Sequence, residues 1–447
     1  MANVVHPDSC HFDRPALSYW DASAAALGHE CPALPGEESC DVAIIGAGYT
    51  GLSAALALAS DHKLDVRVLE AATPGWGASG RNGGFCGIGG HKRSYGAMIR
   101  TYGLPATQRL RAHQRDAVDL VRALCLAHGI DAAIHGEGEV ALAHSASAMQ
   151  AQVQERDFLR RYFDEETELV DPAQLRTRAM HGPRFHGGLV GRHGFGLHPL
   201  EYARGLARAA LAAGARVYAH SRVTKWQEMP HEHRLHTAGG SLRARQVLVA
   251  TNAYTPESVS TRHAGRILPA LSNVLVTRRL SAQEIAAQGW SASTMAYDTR
   301  HLLHYFRLLP DGRFLFGGRA GTDASDQAAS AARVALEARF RELFPAWALV
   351  EVEYFWRGLV CLSYDLVPYL GSLDKRGSVW TALAYHGTGI AMATWCGQQV
   401  ANMIAGRRDG ADLSAVLTRR LAKFPLAALR PLYLAAAYRW YGWSDGG

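Results

Sequence analysis

The chain has 447 residues, of which 48% are apolar and 19% charged, so it can bury a large core and is not a disordered polymer. Lys and Arg total 47 against 40 Asp and Glu, a formal net charge of +7 with no long basic run, and nucleic acid is excluded as the expected partner. At roughly 150 residues per domain, this length fits two or three domains.

The seven cysteines are scattered, odd in number and free of any Cys-x-x-Cys pair, which argues against a disulfide framework and against a zinc ribbon. Residues 1–10 are polar and lack the apolar core of a secretory leader, and no run of 18 apolar residues occurs. A cytoplasmic protein with reduced thiols is expected.

Residues 1–39 read as an irregular, proline-punctuated arm with a short helical piece near 21–27. Residues 41–45 then form a buried strand, 50–60 a helix and 65–70 a second strand, the opening of a βαβ unit. A glycine-rich loop follows at 75–90, then helices over 94–128, a strand at 137–143, a polar helix at 146–163 and a short strand at 188–191. A helix at 199–213 precedes short strands near 216–219, 222–228, 233–238 and 246–250. Longer strands are expected at 268–280, 300–309 and 313–318. Leu336, Phe340, Leu343 and Phe344 make 329–344 an amphipathic helix. Strand 350–358 leads into a loop, strand 378–383 follows, and a helix at 390–405 closes this part. The chain leaves its first βαβ unit, passes through β-rich middle segments and returns to a glycine-rich turn, so it weaves between two domains.

Three glycine-rich stretches carry the chemistry. Gly46, Gly48 and Gly51 form Gly-x-Gly-x-x-Gly, with Tyr49 and Thr50 between them, at a strand-to-helix junction. Here the first glycine permits the tight turn, the second lets backbone approach a pyrophosphate and the third lets helix pack on strand. The helix end directs free N–H groups at the phosphates. Glu70, 19 residues after Gly51, can accept hydrogen bonds from both ribose hydroxyls and would repel a 2′-phosphate. A loop whose glycines serve only packing is the alternative. The second stretch, Gly75-Trp76-Gly77-Ala78-Ser79-Gly80-Arg81-Asn82-Gly83-Gly84, follows directly after the ribose acid. A flavin needs such a second cradle because its ring system is larger than a nicotinamide. Ser79 can donate to the pyrophosphate and Arg81 can offset its charge; a mobile surface loop is the bland reading. The third, Tyr385-His386-Gly387-Thr388-Gly389-Ile390, opens the last helix and sets its positive end toward an anion.

With these motifs the chain resembles the D-amino-acid-oxidase (DAO) superfamily of FAD-dependent oxidoreductases, and within it the gamma-glutamylputrescine oxidase-like flavoproteins. Further matching pieces are Gly196-Leu197-His198-Pro199, Tyr305-Phe306-Arg307, Phe316-Gly317-Gly318-Arg319 and Trp356-Arg357-Gly358, with Asp365, Pro368 and Gly371. The likeness covers roughly 18–410. It implies an α/β fold in which a Rossmann-like FAD-binding domain is interleaved with a substrate domain built on an antiparallel sheet with helices. The expected FAD domain comprises 40–95, 185–265 and 359–410, and the substrate domain 96–184 and 266–358; 1–39 form the arm and 411–447 a C-terminal tail. The resemblance implies FAD held non-covalently, with the Val223 backbone at the adenine and Thr251 and Asn252 near the ribose–adenine end. Cys361 is taken as unlinked to the flavin.

The resemblance also implies oxidation of a C–N bond in an amine or amino acid: hydride passes to flavin N5, the imine hydrolyses to a carbonyl compound, and oxygen is reduced to hydrogen peroxide. Dehydrogenation with electrons passed to a quinone is the alternative; a flavin monooxygenase and a non-catalytic flavoprotein are the further ones. Tyr305 and Arg307 share one strand face, and Arg307 is a candidate for pairing a substrate carboxylate. His198 and His386 adjoin motif positions and are candidates for the catalytic set, with a structural role open for each. His231, His233 and His236 lie in a polar stretch and read as a solvated turn, so no metal is expected. In the tail, Leu413, Val416, Leu417, Leu421 and Phe424 form an apolar stripe beside Arg419, Arg420 and Lys423, followed by Tyr433, Tyr438, Trp440, Tyr441 and Trp443. Packing on the chain's own domain or on a second subunit is the preferred reading; peripheral membrane contact is the other.

Overall fold

The computed structural model describes residues 5–319, 321–407 and 412–445. The tail boundary expected at 410/411 lies outside the described residues. Among these, two eight-stranded sheets carry the fold.

The Val/Ile-rich run ending in Ile45 is buried on both faces, as a central parallel strand requires. Strand Gly36–Ile45 pairs in parallel with Gly240–Val249 on one side and Val66–Leu69 on the other. Arg216–Tyr218 continues the sheet in parallel beyond Val66–Leu69, and Val379–Leu383 does so beyond Gly240–Val249. The hairpin Lys225–Glu228 and His233–His236 attaches antiparallel to Gly240–Val249. Helix Tyr49–Ser60 packs against this sheet so closely that a Cβ on Gly51 would lie 2.0 Å from the carbonyl oxygen of Gly46. The same helix meets helix Ile390–Ile404 at Gly397, where a Cβ would lie 2.4 Å from the Thr50 carbonyl oxygen. Glycine at both crossings brings the N-terminal and C-terminal stretches together.

The second sheet runs in the order Val352–Ser363, Ile267–Thr277, Phe314–Arg319, His304–Leu308, Met295–Asp298, Glu139–Leu142, Gly188–Gly191, Glu168–Val170. It is antiparallel except where Met295–Asp298 runs parallel to Glu139–Leu142. Strand alternation gives it two unlike faces. One face holds Phe306, Phe314 and Phe316 in an aromatic core with Trp290, Phe340, Phe344 and Trp347, which helix Asp326–Leu343 covers. The other face presents Ser272, Arg319, Tyr305, Tyr297, Ala141 and Leu189 to a cavity.

Four expectations change. The strand expected over 300–309 is shorter, His304–Leu308, and a further strand, Met295–Asp298, precedes it; the turn between them is held by the buried Asp298 carboxylate. It accepts from the His304 amide at 3.0 Å and pairs with His304 Nδ1 and Arg300, both at 2.9 Å. The loop expected after 358 is strand, since Val352–Ser363 pairs along the whole of Ile267–Thr277. The short strand Gly188–Gly191 pairs in the second sheet, and helix Leu104–Ala127 places Leu110, Ala117 and Val121 in the core of the first, so elements cross the segment boundaries expected from sequence. His233 is not in a solvated turn: it is buried, with Trp226 and Ser378 as partners.

The tail packs on its own chain. Leu413, Val416 and Leu417 enter the main core, and Arg419 clamps Asp365 and the carbonyls of Val367 and Pro368. Arg430 reaches Glu257 at 2.6 Å, and Asp445 accepts from Leu302 N at 2.9 Å and meets His301 Nδ1 at 2.8 Å. Helix Arg430–Ser444 leaves Leu432, Trp440 and Trp443 exposed. Among the described residues no helix is long and apolar enough to cross a membrane.

Candidate active site

One continuous cavity of about 900 Å³ runs from the edge of the first sheet to the polar face of the second. At the first end it is lined by Gly46, Gly48, Tyr49, Thr50, Glu70, Val223, Thr251 and Asn252. Gly48 is the N-cap of helix Tyr49–Ser60 and brings no side chain over its first turn; Ser79 Oγ takes the Tyr49 amide, and the positive end of the helix faces the cavity at Thr50. A Cβ on Gly48 would lie 2.9 Å from Ser79 Oγ, the close approach a backbone cradle requires. The buried Glu70 accepts from the amides of Ala47 at 2.7 Å and Ala72 at 2.9 Å, which pins the turn between its strand and helix. Burial pushes its carboxyl above the usual range.

The cavity then passes Ala78, Ser79, Arg81, Asn82 and Gly83 on one side and His386, Gly387, Thr388, Gly389 and Ile390 on the other. Side-chain to backbone bonds fix this loop. The Tyr49 amide donates to Ser79 Oγ at 3.0 Å, and the Asn82 amide group donates to the Ser79 carbonyl at 2.9 Å while its oxygen accepts from Gly84 N at 2.8 Å. The Arg81 guanidinium lies 4.0 Å from the centre of the Trp76 ring. Thr50 and Tyr385 join the first and third glycine-rich stretches through a 2.8 Å hydroxyl contact. The three stretches singled out in the sequence therefore meet along one cavity.

At the sheet end, Tyr305 stands over Gly83 and pairs with Ser272 Oγ at 3.1 Å. Arg319 donates to the His386 carbonyl at 2.7 Å, and Lys92 lines the cavity beside it. Neither cation has an acidic partner among the described residues. Burial pushes the Lys92 ammonium down to about 7, and the neighbouring Arg319 charge adds to that. Burial also lowers Arg319. His91 and His386 are held neutral by burial, at about 4 and about 3.

Two of the four residues expected to form the catalytic set lie elsewhere. The Arg307 guanidinium does not reach the cavity. It is fully buried and donates to Gly83 O at 3.0 Å and Leu197 O at 2.7 Å, with His135 Nε2 at 2.8 Å, so each of its three nitrogens is engaged in locking the glycine-rich loop. His198 caps helix Pro199–Ala212, accepting from the Glu201 amide at 3.2 Å, and its other ring nitrogen contacts Ser23. His386 lines the cavity, but both ring nitrogens are engaged, one with Gly90 O at 3.0 Å and the other with Ser363 N at 3.2 Å. Among the expected cofactor residues, Gly51, Gly80 and Gly84 lie behind the wall. A Cβ there would meet Gly46 O at 2.0 Å, Gly75 O at 2.5 Å and Leu197 O at 2.2 Å respectively. Arg319 was visible only as part of a matching string, and Lys92, Glu139 and Tyr297 carried no sequence signal beyond their residue type. Among the described residues no group of three or more His, Cys, Asp or Glu is placed to hold a metal ion.

A dinucleotide-binding βαβ unit, a second glycine-rich cradle and a helix N-terminus on one elongated cavity fit FAD, and the chain belongs to the family of FAD dependent oxidoreductases (DAO), which it matches over residues 41–403. It is an FAD-dependent oxidoreductase. It is similar to the gamma-glutamylputrescine oxidoreductase of Escherichia coli strain K12, with 30% identity over 88% of this chain and 92% of that one. It is similar at 30% identity to the probable oxidoreductase OrdL of Rhizobium meliloti, over 93% of this chain and 94% of that one. In fold it is similar to the glycine oxidase of Geobacillus kaustophilus, with a TM-score of 0.69 and 22% identity over 86% of this chain and 99% of that one.

Proposed function

We propose that this chain oxidises a C–N bond of an amine or amino acid, using FAD held non-covalently, and that dioxygen takes up the electrons as hydrogen peroxide. The amine loses two electrons and two protons to become an imine, and water then converts the imine to a carbonyl compound and a free amine or ammonia. The names of its relatives, a gamma-glutamylputrescine oxidoreductase and a glycine oxidase, support this reading.

The observation that carries it is the pair of cations, Lys92 and Arg319, without an acidic partner among the described residues, on the cavity wall beside the second and third glycine-rich stretches. A neutral amine is the form that can give up a hydride. The Arg319 charge, and that of Lys92 while it is protonated, disfavour its protonated form. With its own ammonium held at about 7, Lys92 can exchange that proton near neutrality. In this reading Gly46, Gly48, Tyr49 and Thr50 hold the pyrophosphate, Glu70 the ribose and Val223 the adenine. The 78–83 loop and the 387–390 turn flank the ring system, and Tyr305 faces the substrate. FAD supplies the two-electron acceptance; the protein supplies binding, orientation and charge. The Cys361 thiol, buried and pushed up to about 12, is held protonated, which supports an unlinked cofactor.

The test is anaerobic mixing of the holoprotein with a panel of alkylamines, glutamylated amines and D- and N-methyl amino acids. Loss of the yellow oxidised absorbance with at least one of them is expected, followed by peroxide on admitting air. If none of the panel bleaches the flavin, the reading is wrong. Bleaching without peroxide, relieved by a quinone, would favour a dehydrogenase, and the exposed Leu432, Trp440 and Trp443 on the C-terminal helix are the feature that supports that alternative.

A further inference from the structure

The cavity has a second pole of opposite sign. Beyond Tyr305 the sheet face continues through Tyr297 and Ala141 to Glu139, and helix Ala146–Phe163 lies against this end with Gln152, Glu155 and Leu159 on its cavity side. Arg111 is present here, but Glu165 takes its charge, with bonds of 2.8 and 2.5 Å, and its third nitrogen donates to the Tyr95 hydroxyl at 2.7 Å. Glu139 and Glu155 are left without a cationic partner among the described residues. Gln152 is only 5% exposed and donates its amide N–H to the Ala141 carbonyl at 2.6 Å, and its side-chain oxygen has no partner. The hydroxyl of cavity-lining Thr167 is buried and unpartnered as well. A buried carbonyl oxygen and carboxylates without donors form a site for a ligand that brings N–H groups and positive charge.

We propose that Glu139, with Gln152 and Glu155, binds a cationic or ammonium group that the substrate carries at a distance from the C–N bond being oxidised. This rests on the amine reading above and narrows its substrate class to amines with a second, distal cation. The two poles sort the ends of such a molecule. The end beside Lys92 and Arg319 is favoured as free base, and the end beside Glu139 is favoured as ammonium. A substrate with a distal carboxylate would meet the wrong charge. Glu139 also lies against strand Phe85–Gly87, where a Cβ on Gly87 would lie 2.6 Å from its Oε2, and Gly83, Phe85, Ile88 and Gly89 line the same cavity, so the acidic pole is continuous with the second glycine-rich stretch.

The test compares n-pentylamine, 1,5-diaminopentane and 5-aminopentanoate on the holoprotein. Each is titrated anaerobically, and both the perturbation of the oxidised flavin spectrum and the rate of bleaching are followed. Hydrogen bonds to charged groups lead to an expected half-saturation for the diamine about 10- to 100-fold below that of the monoamine, with the amino acid weakest of the three. Glu139→Gln and, separately, Glu155→Gln should shrink the diamine-to-monoamine ratio, with flavin content showing that each variant has folded. Equal half-saturation for the monoamine and diamine, a preference for 5-aminopentanoate, or an unchanged ratio in folded Glu139→Gln would overturn the subsite while leaving amine oxidation standing. Absence of both spectral perturbation and bleaching with all three, and with the wider panel, would remove the amine reading itself.

Discussion

Glu70 is a ribose acid in the sequence and also a backbone anchor in the structure, so its removal should weaken the protein before any cofactor is considered. In Glu70→Ala, the amides of Ala47 and Ala72 lose their acceptors at 2.7 and 2.9 Å in a buried setting. An unsatisfied buried donor costs about 1–3 kcal/mol, so two cost about 2–6 kcal/mol. The substitution also relieves the burial of a carboxylate, which holds its pKa above the usual range and offsets part of the loss. A net destabilisation of about 2–3 kcal/mol is expected. For a chain of this size a loss of 1 kcal/mol moves Tm by about 1 °C, so the flavin-free variant should melt about 2–3 °C below the flavin-free parent. The holoprotein comparison should show a larger gap, because loss of the ribose contacts adds to it. The assay is thermal unfolding of both proteins stripped of flavin, then reloaded. An apo variant melting with the apo parent would show that the carboxylate does not hold the turn. A variant that retains flavin as tightly as the parent would remove Glu70 from the cofactor site.

Gly51→Ala should abolish flavin retention, because the added Cβ would lie 2.0 Å from a backbone oxygen that cannot move without parting helix from strand. Overpacking of this kind costs about 1–3 kcal/mol or more, and a variant that purifies fully yellow would refute the packing argument. Acid precipitation of the holoprotein should leave all the flavin in the supernatant, and Cys361→Ala should not alter that; yellow pellets from the parent alone would show a covalent link. Glu139 gives a pH dependence. Burial and Glu165 raise its carboxyl to about 7, against the opposing charge of Arg111, with Glu155, Tyr95 and Tyr297 around the same site. The folded state thus binds this proton more tightly than the unfolded chain. The associated stability is fully present below pH 4.5 and is lost as pH rises through about 7, at most about 3 kcal/mol in all. The melting temperature of the parent should therefore fall more steeply between pH 5 and 8 than that of Glu139→Gln; parallel curves would refute the raised carboxyl.

The cofactor end of the cavity was legible because its requirements are backbone requirements. A pyrophosphate against a helix end needs Gly46 and Gly48, and a helix tight on a strand needs Gly51; such needs leave glycines at fixed spacing. The substrate end left no such trace, because it is assembled by register. Arg307 and Arg319 show the limit. Strand parity places both on the cavity side of the second sheet, across paired strands joined at Tyr305 and Gly317. Which one meets the cavity depends on what lies beneath each side chain. Arg307 finds the carbonyls of Gly83 and Leu197, contributed by segments 224 and 110 residues away, and is absorbed into the wall. Arg319 finds one carbonyl and keeps the rest of its guanidinium for the cavity. Glu139 is set opposite Met295 and Gly191 by two different neighbours in the sheet, and Gln152 by a bond to Ala141 from a helix on the next layer. Each pairing is local in space and remote in sequence, so composition and periodicity carry neither. The charge of a cavity wall is decided by which carboxylates and cations have already found partners. At the acidic pole that turns on Arg111, whose choice of Glu165 over Glu139 leaves Glu139 free to meet a ligand.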